Sequence, residues 1–363
     1  MKSIHRPFRL PSGLIIFLLL LIPLSCQVNT KTVHKTQETC PGGLTDDIIK
    51  IIFYNVENLF DTFDDSTKAD EEYLPGGLMH WTYSRYKTKL EKVCKVIVAA
   101  GGWTPPDMIG LAEIENSRVL LDLIHKTPLV KFEYRYVHKN SPDTRGIDVA
   151  LLYNPATIKI LKTEFIAGKS VDNTEKPTRD ILYCKVSVRR TDTLHVFVNH
   201  WPSRSGGILE TEPARMKMAT ILRRQIDSIV QSEPHQKIIL MGDFNDGPCD
   251  KSLARVLKAL PATDNATTGI LYNLSSGYET KNRIGTHKFQ GQWNMLDQII
   301  VSGELLTAKK GLKTSPSCFS VFAPPYLLTE DKKYTGQEPF RTYKGPVYIG
   351  GFSDHLPVVV NLY

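Results

Sequence analysis

Eight short stretches rich in Ile, Val, Leu and aromatic residues constrain this chain's fold more than any other feature: Ile48–Tyr54, Asp107–Ala112, Ile147–Tyr153, Ile181–Val188, Leu194–Val198, Lys237–Met241, Leu296–Val301 and Leu356–Leu362. Each is of strand length, and several are apolar on consecutive positions, as expected of strands buried on both faces. Between them, Ser84–Ala100 places Leu90, Val93, Cys94, Ile97 and Val98 on one side with a period of about 3.6. Glu212–Val230 does the same with Met218, Ala219, Leu222, Ile226, Ile229 and Val230, with Pro213 expected in the first turn. Strands alternating with helices indicate a layered α/β fold. At 41% hydrophobic and 23% charged, 363 residues can bury a substantial core, which excludes a disordered, collagenous or disulfide-dense chain.

The N-terminus follows another pattern. Lys2, Arg6 and Arg9 precede nine apolar residues, Leu14–Ile22, as in an export signal; the run falls short of the roughly 20 needed to span a bilayer. Leu24-Ser25-Cys26 and the polar stretch after it resemble a bacterial lipoprotein signal. The expected organisation is therefore a signal peptide over 1–25, a polar linker over 26–47 that begins at a lipidated Cys26, and one domain over 48–363. The mature protein is expected to be exported and membrane-anchored, facing periplasm or cell exterior, with ordinary secretion as the alternative because Pro23 is atypical before the cysteine. Loss of the three leader cations lowers the formal charge from +7 to +4, too small an excess to indicate a nucleic-acid partner by itself. Cys40, Cys94, Cys184, Cys249 and Cys318 are scattered with no Cys-x-x-Cys pair to hold zinc, and most read as small buried apolar residues.

Ionisable residues gather at the strand ends. Asn55-Val56-Glu57 and Asp243-Phe244-Asn245 each set an acid and an amide two apart, which in extended chain puts both side chains on one face. Glu113, His200 and Asp297 stand at or near the ends of other apolar runs, and Ser353-Asp354-His355 precedes the last. Oxygen ligands without thiol pairs suit a hard ion such as Mg²⁺ or Mn²⁺, and histidines beside carboxylates supply proton transfers. Together they fit hydrolysis of a phosphate ester. Rival motifs fail: Gly168-Lys169-Ser170 lacks the first glycine of a phosphate loop, where Thr163 stands, and there is no Gly-x-Ser-x-Gly or Gly-x-Gly-x-x-Gly.

In order, Tyr54-Asn55-Val56-Glu57-Asn58, Leu111-Ala112-Glu113, Gly146-Ile147-Asp148, Asn199-His200, Gly242-Asp243-Phe244-Asn245, Leu296-Asp297 and Ser353-Asp354-His355-Leu356-Pro357 resemble the endonuclease/exonuclease/phosphatase superfamily. The resemblance spans roughly Ile48 to Tyr363 and implies a four-layer sandwich of two packed mixed β-sheets flanked by helices, with the site at one rim. It implies Glu113 as the principal metal carboxylate, with Asn55, Glu57 and Asp354 close to the ion, and Asp243 and Asn245 as the pair that activates water and binds phosphate. His355 would contact the scissile phosphate with Asp297 as its partner. His200 stands where the deoxyribonuclease and sphingomyelinase branches carry a second histidine, with Asp148 as a weaker candidate to orient it. Arg204 and Arg215 are candidate phosphate contacts or, equally, surface salt bridges.

Two long connections complete the expectation. Asp61–Thr82 is acidic at its start, while Thr314–Ser353 interleaves Tyr326, Tyr334, Phe340, Tyr343 and Tyr348 with Lys332, Lys333, Arg341 and Lys344. Structureless segments longer than about 15 residues are uncommon and often functional, and aromatics among cations suit single-stranded nucleic acid. The expected function is thus an exported metal-dependent nuclease. A phosphoesterase for a phospholipid head group, sugar phosphate or inositol phosphate is the alternative, and an inactive surface binding protein the third. No protein partner is implied.

Overall fold

The computed structural model describes Cys40 and residues 48–102, 104–168 and 177–363. The leader, Cys26 and the rest of the linker lie outside the described residues. The chain first lays down β1 (Ile49–Leu59), β2 (Met108–Ile114), β3 (Arg135–His138) and β4 (Asp148–Tyr153) in one sheet. A second sheet takes β5 (Ile158–Ile166), β6 (Ile181–Val188), β7 (Asp192–His200), β8 (Ile238–Asp243), β9 (Ala259–Pro261) and β10 (Leu271–Asn273). After a hairpin of β11 (His287–Phe289) and β12 (Gln292–Asn294), β13 (Asp297–Ser302) rejoins the second sheet. The first sheet is completed by β14 (Phe319–Val321) and, beyond two hairpins, by β19 (Val358–Leu362). The strand orders are 14-19-1-2-4-3 and 5-6-7-8-13-10-9. Both sheets are mixed, since β1–β2 and β7–β8 run parallel whereas β1–β19 and β8–β13 run antiparallel.

The consecutive apolar residues have a geometric reason. Along β8, Ile239 and Met241 join the core between the sheets, whereas Ile238 and Leu240 face Met218, Leu222 and Ile226 of α3 (Ile208–Ser232). Alternate residues thus enter different apolar layers, and both faces must be apolar. On the far side, α1 (Tyr83–Ala100) buries Leu90, Val93, Cys94 and Ile97, and α2 (Ser117–His125) buries Val119, Leu120, Leu123 and Ile124. The result is the expected four-layer sandwich. Gly110 marks how closely the sheets approach: a Cβ there would lie 2.8 Å from Met241 Sδ and 3.3 Å from Val198 Cγ1.

Three expectations need correction. The helix expected to begin near Pro213 begins at Ile208, so Pro213 sits inside α3. Thr314–Ser353 is not a structureless loop. It contains the hairpins β15 (Leu328–Glu330) with β16 (Gln337–Pro339) and β17 (Tyr343–Lys344) with β18 (Val347–Tyr348), whose two- and three-residue strands are too short to show periodicity. Cys40 and Cys318 are joined in a disulfide rather than buried as thiols, while Cys94 and Cys184 are buried as expected.

The aromatics of this flap face inward. Tyr343 packs on Tyr73 and Trp81 of the other long connection, and Tyr326, Phe340 and Phe352 form a chain of ring contacts. Cations of α1 cover them: Arg85 lies over Tyr348, Lys92 over Phe340 and Lys95 over Tyr326. Of the five aromatics expected to stack on bases, only Tyr334 is exposed, and Lys344 pairs with Glu338 at 2.9 Å.

Candidate active site

Strand register assembles one wall of the site. Asp243 pairs with His200 across the parallel β7–β8 ladder and with Asp297 across the antiparallel β8–β13 ladder, so the three lie on one rung. Gly242 permits the approach of β7 and β8, because a Cβ there would come within 2.5 Å of the Asn199 carbonyl oxygen. Past the rung, Trp201 and Phe244 meet edge to face at 4.9 Å, bracing the two strand ends. The Trp201 carbonyl accepts from Asn245 Nδ2 at 3.0 Å and from Arg179 Nη2 at 2.6 Å.

The first sheet supplies the opposite wall through irregular strand ends. The β1–β2 register shifts between Asn55 and Leu59, and the β2–β4 register between Ala112 and Ile114. Glu57, Asn58 and Glu113 fall in these shifts with φ of 54°, 49° and 64°, and Asn245 has φ 52°. Left-handed backbone at non-glycine residues costs free energy, and here it turns Glu113 and Asn245 to the cleft and Glu57 to the flap.

That geometry corrects the reading of the spacing-by-two pairs. Glu57 N–H donates to Asn55 Oδ1 at 3.0 Å, and Asn245 N–H donates to Asp243 Oδ1 at 2.9 Å. Each pair closes an Asx turn instead of presenting two side chains on one extended face. Asn55 then bridges the sheets through Nδ2, which donates to Asp243 Oδ2 at 3.1 Å and Glu113 Oε1 at 3.3 Å. In this arrangement Asn55 offers its amide nitrogen, not its oxygen, to the neighbouring carboxylates. Glu57 turns away and is satisfied by Thr342 N–H at 2.6 Å, Arg341 Nε at 3.3 Å and Lys89 Nζ at 3.9 Å. A carboxylate already held by two cations is a poor metal ligand, so Glu57 anchors the flap.

The remaining candidates converge. Glu113, His200, Asp243, Asn245, Asp354 and His355 line one cleft of about 790 Å³. His200 Nε2 lies 3.8 Å from Glu113 Oε1 and 3.7 Å from Asp243 Oδ2. His355 Nδ1 is 2.6 Å from Asp297 Oδ2, and its Nε2 is 3.9 Å from Asp243 Oδ2. Asp354 Oδ2 accepts from Arg341 Nη2 at 2.9 Å, which brings the flap arginine to the site.

Electrostatics separate the two histidines. Burial works against a charged His355, but Asp297, Asp243 and Asp354 outweigh it and hold the ring's pKa well above the ordinary value. Burial, reinforced by Arg179 and Arg145, pushes His200 well below that value. The surroundings thus favour the charged form of His355 and the neutral form of His200. Burial, with Asp297 nearby, raises Asp243 to about 7 even though His355 opposes it.

Three candidates are placed elsewhere or otherwise engaged. Asp148 does not orient His200: it lies 3.2 Å from His138 Nε2 and accepts from Ser141 N–H at 2.9 Å, and His200 Nδ1 is buried without a partner. Arg215 is fully buried against Asp246 at 2.7 Å, so it holds α3 to the loop after β8. Arg204 lines the cleft but donates to the Asn245 carbonyl, Asp246 and Asp250, which makes it a brace for that loop. Arg145 and His287 are among the cleft residues that the sequence did not single out. Arg145 carried no signal beyond its place before Gly146-Ile147-Asp148, and His287 reaches the site through an isolated bridge to His355.

Residues 50–363 match the profile of the Endonuclease/Exonuclease/phosphatase family. The chain belongs to that family. No curated protein matches the sequence significantly. Among solved structures, D. rerio TDP2 complexed with single strand DNA product is 16% identical with a TM-score of 0.54, covering 88% of this chain and 100% of that one. The human Nocturnin catalytic domain with bound sulfate anion is 16% identical at 0.51, covering 87% and 94%. A Bacteroides thetaiotaomicron mannosyl-6-phosphatase is 16% identical at 0.52, covering 87% and 99%. At such identities the likeness shows the fold. Members of this family are phosphoric ester hydrolases that generally use a divalent cation, and this chain has acidic and histidine groups suited to hold one.

Proposed function

We propose that this protein is a divalent-cation-dependent phosphodiesterase whose substrate is a nucleic-acid phosphodiester. The observation that carries the hydrolytic reading is the convergence of Glu113, His200, Asp243, Asn245 and His355 on one cleft, with His355 clamped by Asp297. Glu113 and Asp243 offer carboxylate oxygens on either side of Asn55, a donor set that fits Mg²⁺ or Mn²⁺ with most of its waters retained. Such an ion neutralises charge on phosphoryl oxygens when bound.

The chain's own groups account for the proton movements. Cationic His355 hydrogen-bonds from Nε2 to the scissile phosphate and passes that proton to the leaving oxygen as the P–O bond breaks, and Asp297 keeps its ring oriented. Asp243 accepts a proton from the attacking water. Asn245 has Nδ2 engaged by the Trp201 carbonyl, so its Oδ1 is the atom turned to that water or to substrate.

Nucleic acid is supported by the rim. Phe289 and Ile208 line the cleft and are 63% and 53% exposed, which gives a base an apolar surface in place of the inward-facing flap tyrosines. A sugar phosphate, inositol phosphate or phospholipid head group is the second reading, favoured because most flap aromatics, with Arg341 and Lys344, already have partners. We further propose that the protein is exported and anchored through Cys26. The Cys40–Cys318 disulfide supports the export, since such bonds persist in oxidising compartments. An activity panel in Mg²⁺ and Mn²⁺, covering single-stranded and duplex DNA, RNA, sphingomyelin, inositol and sugar phosphates and a generic diester, decides the substrate. Turnover of DNA or RNA at the highest kcat/KM supports the first reading; rapid cleavage of small phosphoesters with none of nucleic acid refutes it in favour of the second.

A further inference from the structure

The cleft contains a nitrogen-rich cluster in which one member, His287, is left unused by phosphoester hydrolysis. His287 at the start of β11, with Asp354 and His355 ahead of β19, each offer one ligating atom, and the three atoms lie within 4.8 Å of one another. A backbone bridge sets the two histidines side by side, with ring centroids 4.8 Å apart. His287 Nδ1 is buried and has no hydrogen-bond partner. Because His355 Nδ1 is bound to Asp297, Nε2 is left to face a ligand. That is the arrangement common to metal-binding histidines, whose second ring nitrogen donates to a carboxylate. Arg341 engages Asp354 through Oδ2, and a carboxylate has a second oxygen.

We propose that His287, Asp354 and His355 form a site for a first-row transition ion of the Zn²⁺ class, separate from the oxygen-rich position at Glu113 and Asp243. Two imidazoles and one carboxylate, with a fourth position open, form a donor set that Zn²⁺ accepts. Mg²⁺ prefers oxygen and gives up its waters reluctantly, so it competes poorly there. An ion on His355 Nε2 must displace the proton there, and it removes the donor that would meet the scissile phosphate. Occupancy therefore inhibits hydrolysis, a consequence that rests on the phosphodiesterase reading; the site itself does not.

Equilibrium dialysis of the full chain against limiting Zn²⁺ in excess Mg²⁺, with bound zinc counted per chain, tests the site without any assay of turnover. The wild type and Glu113→Gln should each retain one Zn²⁺, and Asp297→Asn should bind it about 10- to 100-fold more weakly. His287→Ala should lose it, and His287→Gln, which keeps side-chain bulk and polarity, should lose it too. No retention by the wild type, equal retention by both His287 variants, or loss in Glu113→Gln alone would overturn the proposal. Zn²⁺ that fills the site without lowering Mg²⁺-supported turnover would overturn the inhibitory role. An inactive wild type that still binds one Zn²⁺ through His287 would instead count against the phosphodiesterase reading.

Discussion

Glu57, Asn58, Glu113 and Asn245 hold left-handed backbone that costs on the order of 1–3 kcal/mol each for residues with a Cβ. The cost is borne because each turn points an acid or amide to a place that an extended strand end would miss. Residue identities at these positions were legible in the sequence, since an acid or amide ending an apolar run is conspicuous. Their directions were not, because spacing by two implies a shared face only while the chain stays extended, and Asn55 and Asp243 instead bend it through their own side-chain oxygens. His287 was illegible because only the fold brings it to His355. The His355–Asp297 pair yields a prediction at this scale. His355→Ala and Asp297→Asn should each lower kcat by about 100- to 10,000-fold, and the double variant should lose little beyond the larger single effect. Steady-state kinetics of the three variants checks this, and multiplicative losses would show that the residues act separately.

At the scale of elements, long uniform strands and strongly periodic helices were readable, as Ile181–Val188 shows by matching β6 residue for residue. Elements of two or three residues were not, and α2 was missed because nine residues give little more than two turns of periodicity. The flap consists of such short pieces and is secured by side chains. Asp331 accepts from Lys288 Nζ at 2.8 Å and from the Lys333 and Tyr334 N–H groups, tying the β15–β16 hairpin to β11. The Lys288 bond, with those two N–H groups, holds the Asp331 carboxyl down at about 2. A depressed folded-state pKa gives stability that is present above the ordinary carboxylate value of about 3.9 and lost as pH falls through about 2. Asp331→Asn should therefore be less stable than wild type at pH 6, and the gap should narrow between about pH 4 and pH 2. Denaturant midpoints across that range test the clasp; a gap that stays constant would show that Asp331 ionisation does not secure the flap.

For the whole molecule, the doubly apolar strands dictated a sandwich covered by helices, and the positions that join its parts were harder to see. Cys40 and Cys318, separated by 278 residues, had no spacing to suggest that they pair. Their disulfide ties the chain just before the domain to the residue next to β14. If the segment ahead of Cys40 is a lipid tether, this bond fixes where the tether leaves the domain. The wild-type protein should fractionate with membranes, since the lipoprotein pathway supplies several acyl chains where one would bind only marginally, and Cys26→Ser should lack lipid. Mass spectrometry of the mature N-terminus checks this, and an unmodified Cys26 on a soluble wild-type protein would refute the anchor.

In the proposed hydrolytic site, Glu113 and Asp243 serve a cation. The most direct test of this is hydrolysis of a generic phosphodiester by wild type and Glu113→Gln, each with Mg²⁺ and after exhaustive chelation. Glu113→Gln keeps the side chain's shape and removes its charge, so the fold should persist while activity falls by orders of magnitude, and chelated wild type should fall to a comparable level and recover when Mg²⁺ returns. Full activity of wild type in excess chelator, or of Glu113→Gln in Mg²⁺, would show that hydrolysis needs no cation at Glu113.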